Sequence, residues 1–174
     1  MRPTLEKITS IAIMQPFRIG YGYDVHRLSE GRRLWIGGII IESDKGEVAH
    51  SDGDVLLHAL CDAMLGALAL GDIGTHFPDT SDEFKDIDSK RLLARCAGMV
   101  RERGYRVSNM DAMLRLERPK IAPYIPAIRE TIASILGCSA DDVSIKATTC
   151  EGMGFVGRGE GIDASVAVML RAVE

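Results

Sequence analysis

Apolar and polar residues are spaced along the chain in blocks that predict short strands and longer helices. Residues Phe17 to His26 form a first predicted strand, and the apolar stretch from Arg33 to Glu42, which two glycines interrupt, predicts a hairpin of short strands. From about Asp52 to Leu70 most helical faces are apolar, so we expect a largely buried helix that ends at Gly71.

The second half of the chain alternates between helices and strands. An amphipathic helix is predicted over Ser89 to Arg103, and a third helix, from Pro123 to Leu136, opens with proline in its first turn and closes at a glycine. Strands are predicted over residues 110–116, 143–149 and 162–170. This order of elements favours an α+β fold, in which helices cover one face of a mixed β-sheet.

Length and composition fit one globular domain. The chain has 174 residues, of which 46% are apolar and 26% are charged, and this is enough to bury a core. We expect residues 1–16 to form a disordered N-terminal extension, with Met14 as an alternative start, and residues 17–174 to form a single domain. No stretch has the pattern of a secretory signal or a membrane span, and the four cysteines are far apart, so we expect a reduced, cytoplasmic protein with no membrane partner.

The charge balance argues against a nucleic-acid partner. The chain carries 25 acidic and 21 basic side chains, has a net charge of -4, and contains no cluster of Lys and Arg interleaved with aromatic residues. The charge of an anionic substrate would therefore have to be met locally, by metal ions, backbone N–H groups and a few placed cations.

A candidate metal site begins with Asp24 and His26, which are two residues apart in the first predicted strand. Side chains at i and i+2 leave the same face of a strand, so both can point into one site. An Asp-x-His pair also occurs by chance, and two ligands rarely hold a divalent ion alone. A third ligand is therefore needed, and His58, inside the first predicted helix, is the obvious donor.

The sequence around His58 predicts how its ring is held. Ser51 and Asp54 have the spacing of a capping box, which places the start of the helix shortly before His58. Asp54 and Asp62 lie four residues to either side of His58, on the same helical face. We expect one of these two carboxylates to accept a hydrogen bond from the free ring nitrogen and so to fix its tautomer.

Two irregular segments are candidates for contacts with a ligand. From Asp72 to Asp88 the periodicity is lost in favour of Gly, Asp, Pro and Thr, and a loop of that length is more often functional than idle. The connector from Cys150 to Gly161 contains five glycines, which allow a backbone to approach a ligand closely. A merely flexible turn is the alternative explanation for that connector.

Six motifs in a fixed order carry a resemblance to a known family. They are Asp24-x-His26; the helix start Ala49-His50-Ser51-Asp52-Gly53-Asp54 with His58; Gly71-Asp72-Ile73-Gly74 leading to Phe77-Pro78-Asp79-Thr80; Arg118-Pro119-Lys120; Lys146-Ala147-Thr148-Thr149-x-Glu151; and Gly157-Arg158-Gly159-Glu160-Gly161. In this order and at these spacings the chain closely resembles the 2-C-methyl-D-erythritol 2,4-cyclodiphosphate synthase family over residues 17–172.

The resemblance implies an activity and an assembly. The substrate 4-diphosphocytidyl-2-C-methyl-D-erythritol 2-phosphate would be cyclised to the 2,4-cyclodiphosphate with loss of CMP, in the non-mevalonate route to isoprenoids. The domain would be catalytic and homotrimeric, with active sites between subunits that take their metal ligands from one chain and their cytidine segment from the next. The last predicted strand is apolar on both faces, which also favours a partner subunit over the sheet.

The resemblance also assigns cofactors and catalytic roles. Zn²⁺ would be bound by Asp24, His26 and His58. A second divalent cation, such as Mg²⁺ or Mn²⁺, would be bound through Glu151. The transition state would be stabilised by hydrogen bonds from His50 and Thr149.

Contacts with the substrate are implied along seven segments of the chain. Residues 72–74 would hold the methylerythritol hydroxyls, residues 77–81 would close over them, and residues 116–122 would form the cytidine pocket. The full set of contact residues would be Asp24, Val25, His26, His50, Ser51, Asp72, Ile73, Gly74, Phe77, Pro78, Asp79, Thr80, Ser81, Leu116, Glu117, Arg118, Pro119, Lys120, Ile121, Ala122, Thr148, Thr149, Cys150, Glu151, Phe155 and Arg158. The chain departs from the usual family pattern at Cys150, where a small polar residue is common, and at Ser81, where Asp is frequent.

The chemistry of such a cyclisation needs no general base. Its nucleophile is a phosphate monoester, whose second pKa of about 6 leaves it mostly deprotonated at neutral pH. The enzyme must instead align the phosphate with the diphosphate and neutralise the charge on neighbouring phosphates. A metal-dependent phosphohydrolase and a non-catalytic protein that binds a nucleotide or an isoprenoid are the alternative interpretations.

Overall fold

Residues 15–78, 84 and 86–173 are described by a computed structural model. Within them the strands are β1 (Phe17–Glu30), β2 (Leu34–Ile36), β3 (Ile39–Ile41), β4 (Lys45–Val48), β5 (Tyr105–Arg115), β6 (Val143–Thr148) and β7 (Gly161–Ala172). The helices are α1 (Val55–Ala67), α2 (Ile73–His76), α3 (Ser89–Glu102), α4 (Ile125–Leu136) and α5 (Gly154–Gly157), with 3-10 turns at Ala122–Tyr124 and Ala140–Asp142. Of the predicted N-terminal extension, residues 1–14 lie outside the described residues.

Five of these strands form one sheet, in the order β4-β1-β7-β5-β6. β5 and β6 run parallel, whereas the other neighbouring strands are antiparallel. β2 and β3 form a separate antiparallel pair around the two glycines. The predicted α+β fold with a mixed sheet, and the predicted short hairpin, are confirmed.

β1 and β5 are longer than the sequence pattern predicts. β1 continues from His26 to Glu30 because its last four residues pair with β4, although only one of the four, Leu28, is apolar and they show no apolar alternation. β5 begins at Tyr105, well before residue 110, because its first residues pair with the end of β7. Pairing with a distant strand thus extends both elements beyond what their own side chains indicate.

The three long helices lie against one face of the sheet, as predicted. α1 packs across β1 and β7, α3 packs against α1 and β5, and α4 packs against α3 and β6. The interior of α1 is buried on nearly all sides, which explains its apolar composition. No helix in the described ranges is long and apolar enough to cross a membrane.

α1 is shorter at both ends than the predicted helix, and its cap is a different residue. The Asp54 carboxylate accepts a hydrogen bond from Leu57 N at 3.0 Å and forms the N-cap, so the prediction of a cap at Ser51 is wrong. The Ser51 hydroxyl accepts from Gly53 N instead. Two short helices also lie in segments predicted to be irregular, namely α2 and α5.

Two glycines of β1 allow α1 to lie very close to the sheet. A Cβ atom added to Gly20 would lie 1.8 Å from the carbonyl oxygen of Ala63, and one added to Gly22 would lie 2.0 Å from that of Ala59. Any side chain at these positions would push the helix outwards. Because Asp24 continues the same face of β1, the close approach also brings α1 over the candidate metal ligands.

The outer face of the sheet, opposite the helices, exposes large apolar side chains. Those of β1 are between 43% and 78% exposed and are Phe17, Ile19, Tyr21, Tyr23 and Val25. The outer positions of β7 include an acidic residue, a serine and an arginine, so the prediction that β7 is apolar on both faces is wrong. The exposed apolar surface comes mainly from β1.

Candidate functional site

Asp24, His26 and His58 bring three possible metal-ligand atoms together. Asp24 Oδ2 lies 3.0 Å from both His26 Nε2 and His58 Nδ1, and the two ring nitrogens are 3.1 Å apart. Asp24 and His26 leave the inner face of β1, and His58 reaches them from the first part of α1. The predicted convergence of these three side chains is confirmed.

The chemistry of this donor set fits a small divalent cation. Zinc accepts carboxylate and imidazole ligands with bonds of about 2.0–2.2 Å, so that three tetrahedral ligand atoms are about 3.3 Å apart. The observed separations of 3.0 Å and 3.1 Å are close to that value. Three protein ligands also leave one position of a tetrahedral ion for a substrate oxygen.

Burial and hydrogen bonding act in opposite directions on the charges of this group. Burial disfavours the charged form of Asp24, but hydrogen bonds from His26 and His58 outweigh it and hold the pKa of Asp24 below its usual range. Burial likewise opposes the charged form of His58, yet its bond to Asp24 holds the pKa of His58 above the ordinary value. The group is therefore suited to hold a positive charge, from a proton or from a metal ion, beside a carboxylate.

The second ring nitrogen of His58 is held by two hydroxyl groups. His58 Nε2 lies 2.9 Å from Ser89 Oγ and 3.1 Å from Ser51 Oγ. The prediction that Asp54 or Asp62 would accept from this nitrogen is wrong. The Asp54 carboxylate accepts from backbone N–H groups of the β2–β3 turn and of α1, and the Asp62 carboxylate accepts from the first N–H of α2.

A cleft of about 340 Å³ opens beside the three ligands. One wall is formed by the segment before α1, with His50 and Ser51. The other wall is formed by Ile73, Gly74 and Phe77, at and after α2. The ligand histidines line the same cleft, so the structure brings together predicted site residues from three separate motifs.

Hydrogen bonds hold both walls of this cleft in place. Asp86 N donates to the carbonyl oxygen of His50 at 2.9 Å, which ties the segment before α1 to the residues before α3. The Asp72 carboxylate accepts from the backbone N–H and the hydroxyl of Thr75, both at 2.8 Å, and so caps α2. The wall that carries Ile73 and Gly74 is therefore fixed by a residue that was itself predicted to contact the substrate.

The segment predicted to close over the substrate is only partly described. Phe77 is buried and packs edge-to-face on Phe84, with ring centroids 5.6 Å apart. Pro78 is exposed beside it. The predicted contact residues Asp79, Thr80 and Ser81 lie outside the described residues.

The segments predicted to bind cytidine and phosphate form a second group. Residues 116–122 and 148–151 are joined by a hydrogen bond from Cys150 N to the Glu117 carboxylate, at 3.1 Å. A cleft of about 1050 Å³ lies beside them and is lined on this side by Glu117, Arg118, Pro119, Lys120, Thr149 and Arg158. Leu116 and Ile121 are buried and anchor the segment to the core.

The remaining predicted site residues lie at the surface. Glu151 is exposed, adopts a φ of 52°, and accepts a hydrogen bond from Thr149 Oγ1 at 2.7 Å. It is not part of the three-ligand group found among the described residues. Phe155 and Arg158 line a groove of about 680 Å³ together with Val25 and His26.

The register of the sheet separates the two groups within one chain. One row of paired residues crosses the sheet from the metal ligands to the second group. It runs from Asp24 in β1 to Ala164 in β7, then to Leu114 in β5 and Ala147 in β6. Three strand spacings make this row about 14 Å wide. We call the three ligands and their cleft the metal half of the site, and residues 116–122 and 148–151 the nucleotide half.

Sequence reasoning missed two acidic residues behind the metal half, Asp52, which is half-buried, and Glu47, which is buried. Asp52 accepts a hydrogen bond from Ser89 N at 2.8 Å, across 37 positions of the chain. Glu47 is buried, and among the described residues one of its carboxylate oxygens has no hydrogen-bond partner. Burial, helped by the nearby charge of Asp54, raises the pKa of Glu47 to about 9. No local pattern in the sequence indicates either arrangement.

Known proteins are similar to this chain over most of its length. The model of the YgbB family matches residues 17–171. A relative from Bacteroides thetaiotaomicron, named 2-C-methyl-D-erythritol 2,4-cyclodiphosphate synthase, is 54% identical over 153 residues, which are 88% of this chain and 96% of the relative.

Solved structures agree with the sequence match. The bifunctional IspDF of Campylobacter jejuni is 40% identical with a TM-score of 0.87, and the match covers 91% of this chain and 43% of that longer chain. A structure described as 2C-methyl-D-erythritol-2,4-cyclodiphosphate synthase in a bound form with CDP is 38% identical with a TM-score of 0.82, covering 88% of this chain and 99% of that one. By its family model and by its relatives, the chain belongs to the YgbB family.

Proposed function

We propose that this protein is a 2-C-methyl-D-erythritol 2,4-cyclodiphosphate synthase. It converts 4-diphosphocytidyl-2-C-methyl-D-erythritol 2-phosphate to the 2,4-cyclodiphosphate and CMP, in the non-mevalonate route to isoprenoids. The name of a relative at 54% identity supports this activity. The observation in this chain that carries it is the convergence of Asp24, His26 and His58 at the edge of a cleft.

Two cations fit the donors that the chain offers. Asp24, His26 and His58 would hold a zinc ion. Glu151 would hold a second cation, such as Mg²⁺ or Mn²⁺, together with phosphate oxygens, because a single exposed carboxylate does not hold such an ion alone. When bound, the cations would stabilise negative charge on the phosphate oxygens.

The protein side chains align the reacting phosphates. The nucleophile is the 2-phosphate of the substrate, which is mostly deprotonated near neutral pH since its second pKa is about 6. His50, at the mouth of the cleft, and Thr149 of the nucleotide half would donate hydrogen bonds to the transition state. Holding the two phosphorus groups in line is then the main contribution of the protein.

Substrate contacts are divided between the two halves of the site. We assign the phosphates to Ser51 and Thr148 and the methylerythritol hydroxyls to residues 72–74, with residues 77–81 closing over them. Residues 116–122 would hold the cytidine, mainly through backbone groups. A solved relative is described as bound to CDP, which supports a cytidine diphosphate-linked substrate for this chain.

We propose that the protein is a homotrimer with active sites between subunits. The outer sheet face exposes Ile19 by 78% and Tyr21 by 66%, and such a surface is suited to burial against another copy. The gap of about 14 Å within one chain is a second argument, because a neighbour could place its nucleotide half against the metal half of the first subunit. Residues 17–174 would form the catalytic domain of this cytoplasmic enzyme, with residues 1–16 as an extension.

Incubation with the substrate, followed by phosphorus NMR, tests the proposed activity. A cyclic diphosphate and CMP are the expected products. An open-chain product would identify a phosphohydrolase instead, and unchanged substrate in the presence of zinc and magnesium would identify a binding protein. The His58→Ala variant serves as the matched control and is expected to leave the substrate unchanged.

A further inference from the structure

A chain of hydrogen bonds runs from His58 through the buried Ser89 to the half-buried Asp52, away from the metal half. His58 Nε2 lies 2.9 Å from Ser89 Oγ, and Ser89 Oγ is hydrogen-bonded to Asp52 Oδ1. The other oxygen of Asp52 accepts from Ser89 N at 2.8 Å, so the pair of Asp52 and Ser89 is fixed at two points. Ser89 is fully buried and does not line the cleft beside the metal ligands.

The direction of these bonds follows from the donors that are present. A carboxylate can only accept, so the Ser89 hydroxyl gives its proton to Asp52. The Ser89 oxygen can then only accept from His58 Nε2, which must therefore carry the ring proton. His58 Nδ1 would then offer its lone pair to a bound metal ion, beside Asp24 Oδ2 at 3.0 Å and His26 Nε2 at 3.1 Å, whereas without an ion this nitrogen can hold a second proton and donate it to Asp24.

Ser51 would favour the opposite tautomer of His58. Its oxygen accepts from Gly53 N at 3.1 Å, and its own proton can be donated to His58 Nε2, also at 3.1 Å. His58 Nδ1 would then carry the ring proton and donate it to Asp24. The three side chains would form a Ser-His-Asp hydrogen-bond series, and Nδ1 could not bind a metal ion. In that arrangement the lone pairs of Ser89 Oγ and His58 Nε2 would face each other at 2.9 Å with no proton between them.

We propose that Asp52 and Ser89 are positioning residues, which fix His58 in the tautomer whose Nδ1 can bind a metal ion. This inference rests on the proposed metal site of Asp24, His26 and His58. It goes beyond that site because it assigns a role to two residues that touch neither the ion nor the cleft of the metal half. Residues that hold a metal-binding histidine by a hydrogen bond typically raise the metal affinity by roughly 10- to 100-fold.

Zinc affinity of the full chain, measured by competition with a coloured chelator, tests the proposal without using activity. Ser89→Ala should weaken zinc binding by about 10- to 100-fold, because His58 loses the acceptor that fixes its proton. Ser89→Thr keeps the hydroxyl and should recover most of the affinity. Ser51→Ala, the matched control that removes the other hydroxyl near His58, should bind zinc like the original protein.

NMR of the histidine ring nitrogens gives a second reading that needs no substitution. In the zinc-loaded protein the His58 proton should be on Nε2, with Nδ1 bound to the metal. A proton on Nδ1, or equal zinc affinity for Ser89→Ala and the original protein, would overturn the positioning role while leaving the metal site intact. Failure of the unsubstituted protein to bind zinc would overturn the metal site and the inference together.

Discussion

The two halves of the site differ in how completely a single chain prepares them. In the metal half His58 is buried, and both of its ring nitrogens are within hydrogen-bond distance of other side chains. In the nucleotide half Lys120, Thr149 and Glu151 are exposed, and the hydrogen bonds shown by the side chains of Thr149 and Glu151 stay within their own segment. The chain therefore preorganises the candidate metal ligands, whereas in the proposed trimer the nucleotide half would gain its final surroundings from the substrate and a neighbouring subunit.

The difference has a packing cause. α1 can cross β1 at close range only because Gly20 and Gly22 present no side chains to it, and this places His58 over Asp24. The nucleotide half instead follows the ends of β5 and β6, where the chain leaves the sheet in irregular segments. The rigid elements β1 and α1 therefore fix the metal half, whereas loops form the nucleotide half.

Gly22→Ala should have the largest effect, because it breaks the packing on which the metal half depends. The new Cβ would lie 2.0 Å from the Ala59 carbonyl oxygen, so the helix must move. We expect a loss of about 3 kcal/mol or more in the free energy of unfolding, together with loss of bound zinc. Chemical denaturation and elemental analysis measure the two effects.

Gly98→Ala is the matched control for this substitution. Gly98 lies in α3, and a Cβ atom there would have no atom within 4 Å. The change should raise the free energy of unfolding by about 0.5–1 kcal/mol, since alanine favours a helix over glycine. If Gly22→Ala were as stable as the Gly98→Ala protein and retained its zinc, the close packing of α1 would not be what holds the ligands.

His58→Ala and Lys120→Ala should separate the two halves by their metal content. His58→Ala should lose zinc and nearly all turnover while staying folded, because α1 is anchored by its apolar faces. Lys120→Ala should lose turnover but keep its zinc. Elemental analysis of the purified variants decides the matter, and undiminished zinc in His58→Ala would remove that residue from the ligand set.

Mixing the two inactive variants tests whether the halves come from different chains. After joint unfolding and refolding, a site works only if its metal half comes from Lys120→Ala and its nucleotide half from His58→Ala. Random equal mixing in a cyclic trimer should therefore restore about a quarter of the sites. Absence of any activity, in variants shown by mass spectrometry to share trimers, would place the whole site within one chain.

Features that depend on neighbouring residues could be predicted from the sequence. The three long helices, most strands and the shared face of Asp24 and His26 follow from local periodicity and from the alternation of faces along β1. That His58 joins them was predicted from the need for a third ligand and from the family resemblance. The hydroxyl partner Ser89 of His58 could not be predicted, because it lies 31 positions away at the start of another helix, and hydrogen bonds between distant segments leave no periodic pattern. The same holds for Asp52, whose bonds to Ser89 depend on how two loops meet.

One packing signal was present in the sequence but unused. Gly20 and Gly22 alternate with tyrosines in the first strand, and Ala59 and Ala63 are four residues apart in the first helix. Small residues at a spacing of two in a strand and four in a helix indicate two faces that can approach closely. The end of α1 was predicted too late because the apolar composition continues past Ala67, where the chain already turns away.

The smallest expected effect on the metal half itself comes from the acid buried behind it, which acts on stability alone. Burial raises the pKa of Glu47 to about 9 from an ordinary value of 4.5, so between these pH values the folded chain holds a proton that the unfolded chain releases. The stability that this proton provides is fully present below about pH 4.5 and is lost as the pH rises towards about 9. Unfolding should thus become easier with rising pH, by at most about 1.4 kcal/mol per unit for this one group.

Glu47→Gln should remove that part of the pH dependence. The amide oxygen can still accept from Trp35 N, which now donates to Glu47 Oε2 at 3.1 Å, and the amide nitrogen takes the place of an oxygen without a partner among the described residues. The variant should match the original protein to within about 1 kcal/mol near pH 5 and exceed it by up to about 4 kcal/mol in the free energy of unfolding near pH 8. Denaturation curves at both pH values measure the difference. If the difference in the free energy of unfolding between the two proteins were the same at both pH values, Glu47 would be ionised in the folded chain. Burial would then not raise the pKa of this carboxyl.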